Sequence, residues 1–281
     1  MFVANGLVYL ELQKTGGSHI CRLLEKYAQG RQERKHNRVT IDASSGYVIG
    51  SIRNPWDWYV SLWAYGVSGQ GAVRFRTVTG VDFNYYHRGL PRAMGKNWLT
   101  PGELFTSLSH DLIKPVCHWR ETYQHSSDPV LFRAWLKMLL DRKRRFDIGE
   151  GYGFSPLSAH AGLLTYRYFR LYTTGNSVYR DQRLKQFERL AEYDRECNIT
   201  RGMIRTESLE EDFIRVLAEA GCSLTEEQSA LIRNKEAGKT NVSERKPTLF
   251  YYDDETMALV ARRDRYLIEK YGYHPPVQVR L

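Results

Sequence analysis

The chain has 281 residues, 42% of them hydrophobic and 26% charged, with 41 lysines and arginines against 32 aspartates and glutamates. This is ordinary globular usage in a chain long enough to bury a sizeable core, and it excludes a disordered or fibrous protein. The formal charge of +9 favours anionic ligands, while no run approaches the roughly 20 apolar residues that span a bilayer.

One domain over residues 1–281 is expected. The four cysteines, Cys21, Cys117, Cys197 and Cys222, are far apart and form no CxxC pair, so neither zinc nor a disulfide framework is expected. Met1 leads into a strand-like segment rather than a signal core, and the expected address is the cytoplasm.

Leu7 to Leu12 (LVYLEL) has strand character, Lys14, Thr15, Gly16 and Gly17 form a short loop, and from Ser18 the spacing of Ile20, Leu23, Leu24 and Tyr27 is helical. The same grammar returns in Tyr47 to Ile52 (YVIGSI), a buried strand, followed by a helix that opens at Pro55. Two such units imply a parallel sheet flanked by helices. From Gly66 to Asp128 the pattern is irregular and rich in Gly, Tyr, Arg and His, which suits an acceptor-recognition insertion. Helical spacing returns in Val130–Arg145, Pro156–Tyr172 and Asp181–Cys197. Met203 to Thr206 is a further strand, Ser208 with Glu211 and Thr225 with Gln228 are capping boxes, and a last helix runs from Asp254 to Tyr271 and stops at Gly272.

Chemistry concentrates in two segments. In KTGGSH a strand feeds a helix N-terminus through two glycines, so backbone N–H groups and the helix dipole face an anion, with Lys14 and the Ser18 hydroxyl beside them. The lysine precedes the glycines, which departs from the Walker A order G-x-x-x-x-G-K-[ST] and demotes an ATP-dependent kinase-like enzyme. In RNPWDWYVS, Arg53 stands at the end of a buried strand, Asp57 and Ser61 share one helical face, and the arginine fork suits a second phosphate.

In this order and context, KTGGSH and RNPWDWYVS resemble the two donor-binding motifs of the sulfotransferase superfamily, in its bacterial carbohydrate-sulfotransferase-like branch. The resemblance is tightest over residues 7–65 and 203–272, and it includes the stretch TNVSERK. It implies an α/β, P-loop-like three-layer sandwich with a central parallel sheet flanked by helices. It further implies a sulfuryl transfer from 3′-phosphoadenosine-5′-phosphosulfate (PAPS), with adenosine 3′,5′-bisphosphate (PAP) as product and no metal. Lys14, Thr15, Gly16, Gly17, Ser18 and His19 would hold the 5′ end, Arg53 and Ser61 the 3′-phosphate, and Thr240, Asn241, Ser243 and Arg245 a late loop over the nucleotide. Three positions depart from the usual pattern: Gln13 stands where proline opens the loop, Gly17 where Ser or Thr is frequent, and His19 where an apolar or aromatic residue is common. Golgi members of the superfamily usually carry a membrane anchor, which is not seen here.

The resemblance gives Lys14 the bridging oxygen of the leaving phosphate. For the proton acceptor the resemblance puts His36, in RKHNRV, first, because many members carry a histidine just before the strand of the 3′-phosphate arginine; an imidazole also has a suitable pKa, and the flanking Arg34, Lys35 and Arg38, if close, would keep it neutral. His160 is the second candidate, and Glu11 and Glu207 are carboxylates at strand ends. The acceptor is open, a hydroxyl or amine on a glycan or glycolipid among the choices. RKRR at Arg142–Arg145 raises nucleic-acid binding as a rival, but it ends a helix, where basic residues complement the dipole, and no nucleic-acid-binding signature accompanies it.

Overall fold

The computed structural model of the chain describes residues 1–4, 6–33, 46–81, 100–174, 177–234 and 245–277. These fall into two compact units: Met1–Asn54 with Arg167–Thr174 and Glu192–Glu244, and Pro55–Tyr166 with Gly175–Ala191 and Arg245–Leu281. Among the described residues no helix is long and apolar enough to cross a membrane.

The first unit is α/β and is built on a five-stranded mixed sheet in the order β3-β1-β2-β4-β5. Its strands are β1 (Phe2–Ala4), β2 (Leu7–Leu10), β3 (Arg31–Gln32), β4 (Tyr47–Ile52) and β5 (Gly202–Arg205). β2, β4 and β5 run parallel, with Leu10 opposite Gly50 and Ile52 opposite Arg205. The sequence predicts a parallel sheet, and the parallel part is present. The mixed character comes from β1, which pairs antiparallel with both β2 and β3. A chain that turns back within a few residues, with Gly6 at φ 72°, leaves no room for the crossover that a parallel neighbour needs.

Side chains of alternate strand residues point to opposite faces. On one face Leu7, Tyr9, Ile49 and Ile204 pack with Ile20, Leu23 and Leu24 of α1 (Gly17–Ala28) and with Phe213, Val216 and Leu217 of a later helix, Leu209–Glu219. On the other face Gly50 meets the ring of Tyr172, and a Cβ at position 50 would collide with it. The glycine within YVIGSI is therefore a point of close approach. It lets the Tyr172 hydroxyl accept from the Ser51 N–H (2.9 Å) and donate to the Ser51 carbonyl (2.7 Å).

In the second unit, α2 (Pro55–Val67) buries residues on every side, including Trp56, Trp58, Tyr59 and Trp63, as a helix apolar all round must. The stretch that reads as irregular contains α3 (Ala72–Val78), α4 (Pro101–Ile113) and α5 (Val116–Glu121), while residues 82–99 lie outside the described residues. The start of α4 is held by a capping box of Thr100 and Glu103 around Pro101. In the same region Asp111 pairs with Arg76 and Lys114, each at 2.8 Å, and both the Asp111 and Lys114 side chains are buried.

The second unit continues with α6 (Pro129–Leu140) and the start of α7 (Leu163–Tyr172). Val130–Arg145 thus ends early as a helix, and Arg142–Arg144 forms a separate 3-10 turn after Asp141. Pro156–Tyr172 is likewise split, into a 3-10 turn (Pro156–Ala159) and α7, around Gly162, where a Cβ would strike Asp264 and Tyr59. The reading of one helix from Asp181 also gives way to 3-10 turns, followed by α8 (Leu190–Cys197).

The Ser208–Glu211 capping box is corrected. Ser208 makes no cap bond to α9 (Leu209–Glu219); its hydroxyl donates to Asp212 Oδ2 at 2.9 Å, as does the Arg205 Nε. Burial alone would raise the Asp212 carboxyl, but hydrogen bonds from Arg205, Ser208 and Arg215 outweigh it and bring it down to about 2. The Thr225–Gln228 box holds at α10 (Glu226–Arg233), and α11 (Thr248–Tyr251) follows the undescribed 235–244. The expected last helix is two, α12 (Asp254–Arg263) and α13 (Arg265–Tyr271), the second ending at Gly272 with φ 65°.

Candidate anion-binding site

β2 ends at Leu10 and α1 begins at Gly17, so six residues make the connection. Lys14 takes φ 67°, a left-handed conformation that costs a residue with a Cβ about 1–2 kcal/mol. Gly16 caps the helix at φ 82°, and a Cβ there would also press on Leu209, so both backbone and packing require glycine. The Gly16 carbonyl takes the N–H groups of His19 (2.9 Å) and Ile20 (3.0 Å). Helix geometry leaves the N–H groups of Gly17 and Ser18 for an outside acceptor, at the positive end of the dipole.

Three successive loop residues are each tied to a different part of the unit. The Gln13 Oε1 accepts from Arg167 Nη1 at 2.7 Å. The Lys14 carbonyl accepts from Arg53 Nη1 at 3.1 Å. Thr15 is fully buried, donates to the Leu12 carbonyl at 2.6 Å and lies 2.6 Å from Ser51 Oγ. Since Thr15 spends its one proton on Leu12, Ser51 must donate to Thr15, and Tyr9 must then donate to Ser51, at 2.8 Å. Burial holds the Tyr9 phenol well above its usual range, which keeps it a donor. Through this chain the loop after β2 and the end of β4 are one hydrogen-bonded body.

Two departures from the usual motif have local causes. A Cβ at Gly17 would run into the side chain of Glu11, which is 7% exposed, so the glycine makes room for that carboxylate at the head of α1. Gln13 supplies the acceptor that Arg167 uses. Substituting Gly17 by serine is accordingly expected to lower stability by about 1–3 kcal/mol through overpacking. The added change Glu11→Ala should recover more than half of that loss in denaturant unfolding.

The other predicted residues are placed as follows. Ser18 is exposed, and His19 is half-buried. Burial holds the His19 imidazole below its usual 6.5, against the pull of the Glu210 carboxylate and with help from Arg22. Its buried Nδ1 has no hydrogen-bond partner among the described residues. Glu207 accepts the Asn54 N–H at 2.7 Å and so fixes the turn after Arg53.

In the second unit Ser61 is buried on α2. Arg245 pairs with Asp57 Oδ1 at 2.6 Å, where Thr248 also donates at 2.6 Å. His160 follows a 3-10 turn, and its Nε2 lies 2.8 Å from the Leu184 carbonyl, an acceptor, so that nitrogen carries the proton. His36, Thr240, Asn241 and Ser243 lie outside the described residues.

The structure thus brings together Lys14, Thr15 and Arg53 of the predicted set, and it adds Ser51, Tyr172 and Arg167, which sequence reasoning missed. One signal for Arg167 was present: an arginine inside LLTYRYFRLY, a helix whose other residues are nearly all aromatic or aliphatic, must find a partner if buried. Chemically, Lys14, Arg53 and Arg167 supply three cationic side chains to this part of the unit, beside the carboxylates of Glu11 and Glu207. Together with the N–H groups at the head of α1, they suit a ligand carrying more than one anionic group. No family model, curated protein or solved structure matches the chain.

Proposed function

We propose that the protein is a sulfotransferase that uses PAPS as its sulfuryl donor and a hydroxyl or amine as acceptor. The observation that carries this reading is the Arg53 guanidinium bonded to the Lys14 carbonyl, which joins two anion-binding segments at the carboxyl ends of neighbouring parallel strands. That edge is where open α/β sheets bind nucleotides. Helices packed on both faces of the sheet support a P-loop-like three-layer sandwich.

In this reading the loop and the head of α1 hold the 5′-phosphosulfate, and Arg53 takes the 3′-phosphate. The acceptor oxygen or nitrogen attacks sulfur, the bond from sulfur to the 5′-phosphate oxygen breaks, and the electron pair leaves with PAP. Lys14 offsets the charge that grows on that oxygen, and the acceptor's proton passes to a base. His36, in RKHNRV, is the first candidate for that proton, and His160, whose Nε2 is held by the Leu184 carbonyl, is the second.

The test is calorimetric titration with PAP, with AMP and ATP beside it, with and without magnesium. Tight, metal-independent binding that requires the 3′-phosphate is the expected result, and loss of that binding in Arg53→Ala would locate it. Preference for ATP with magnesium would replace this reading by a kinase-like one.

A further inference from the structure

We propose that Arg167 is a positioning residue for the donor loop, holding Gln13 so that Lys14 keeps its left-handed backbone. The functional half of this inference rests on the loop being the donor site; the brace itself does not.

A guanidinium is an expensive group to bury, and Arg167 is only 6% exposed in a helix whose neighbouring residues Leu164, Tyr166, Tyr168 and Phe169 are all buried. Its Nη1 reaches 2.7 Å to Gln13 Oε1, 154 residues away in sequence and directly before the strained lysine. A left-handed residue with a side chain persists only where its surroundings over-determine it. Lys14 has Gln13 tied on one side, Thr15 tied on the other, and its own carbonyl tied to Arg53. Two of those ties come from β4 and the turn that follows it. The third comes from Arg167, on a different helix and on neither motif.

The same helix places Tyr172 against Ser51, which in turn meets Thr15. Helix α7 therefore supports the loop twice, at Gln13 directly and at Thr15 through β4. Losing the Gln13 tie should loosen residues 13–16 without unfolding the sheet, because the Tyr172 support remains. An anion that depends on the Lys14 side chain and on the head of α1 would then bind a loop that must first be ordered, and its affinity would fall by the cost of that ordering.

The experiment compares Gln13→Ala, Arg167→Met, Arg167→Lys and the Gln13→Ala/Arg167→Met pair by amide hydrogen exchange of residues 11–18 and by calorimetric titration with PAP. Gln13→Ala and Arg167→Met should each speed exchange of that peptide about ten- to a hundredfold and weaken PAP by a similar factor, the worth of one charge-assisted hydrogen bond. The pair should be no worse than either alone, and Arg167→Lys should recover part of the loss. Unchanged exchange in Gln13→Ala, or losses that multiply in the pair, would overturn the proposal. Should the Arg167 variants fail to fold, Gln13→Ala, at a partly exposed position, decides it. If the unaltered protein does not bind PAP, the functional reading fails, and the exchange data still judge the brace.

Discussion

If the protein is the sulfotransferase proposed above, replacing Lys14 by alanine should lower sulfuryl transfer by about a hundred- to a thousandfold, the usual cost of removing a group that stabilises developing charge in the transition state. The left-handed φ of 67° makes alanine the informative choice. The conformational penalty arises from the Cβ, which alanine keeps, so backbone strain is the same before and after. Glycine would relieve that strain, about 1–2 kcal/mol, against a cost of about 0.4–1 kcal/mol in unfolded-chain entropy, a small net gain in stability, while removing the ammonium group. Lys14→Gly should therefore be as inactive as Lys14→Ala but more resistant to denaturant. Initial rates with saturating PAPS, set beside unfolding midpoints for both variants, check this. Activity close to that of the unaltered chain in either variant would remove Lys14 from the chemistry.

Asp264→Ala should cost about 3–5 kcal/mol of stability, the largest effect expected of a residue remote from the loop. Asp264 is fully buried and accepts from Tyr59 at 2.6 Å, from the Thr165 N–H at 2.9 Å and from the Thr165 hydroxyl at 2.7 Å. Alanine would leave these donors buried without an acceptor. Asp264→Asn keeps the shape and one acceptor oxygen, and should cost about 1–2 kcal/mol.

The pH dependence follows from the direction of the Asp264 shift. Burial pushes its carboxyl above the usual 3.8, and the bonds from Tyr59 and Thr165 only partly oppose it. The folded chain thus holds this proton more tightly than the unfolded chain. The associated stability is full below the unfolded pKa and is lost as pH rises through the folded one. The asparagine variant has no such dependence, so its deficit should shrink as the buffer is raised from pH 4 toward 7. Denaturant unfolding across that range reads the trend, and a deficit that grows with pH would show a carboxylate stabilised in its charged form.

Much of the local structure was legible. A strand ending before KTGGSH, a helix opening at Pro55, the Thr225 capping box and the stop at Gly272 each depend on residues within a few positions of one another. The candidate site was legible to the same extent: Lys14 and Arg53 stand out because each follows a strand, and the structure joins them. Helix lengths were read less well, since apolar periodicity continues through Gly162 and Asp264 although the chain breaks at both.

By itself, then, the sequence determined the strand-loop-helix units, their order and their cationic ends, because these follow from side-chain period, caps and backbone preferences that act within one or two turns. Only the tertiary structure decided that β1 turns the sheet mixed, that Asp264 splits the last helix to reach Tyr59 and Thr165, and that Arg167 of α7 holds Gln13. In the last two cases the partners are roughly 100 or more residues apart. A buried charge declares that it needs a partner, but which partner it finds depends on packing that brings distant segments together.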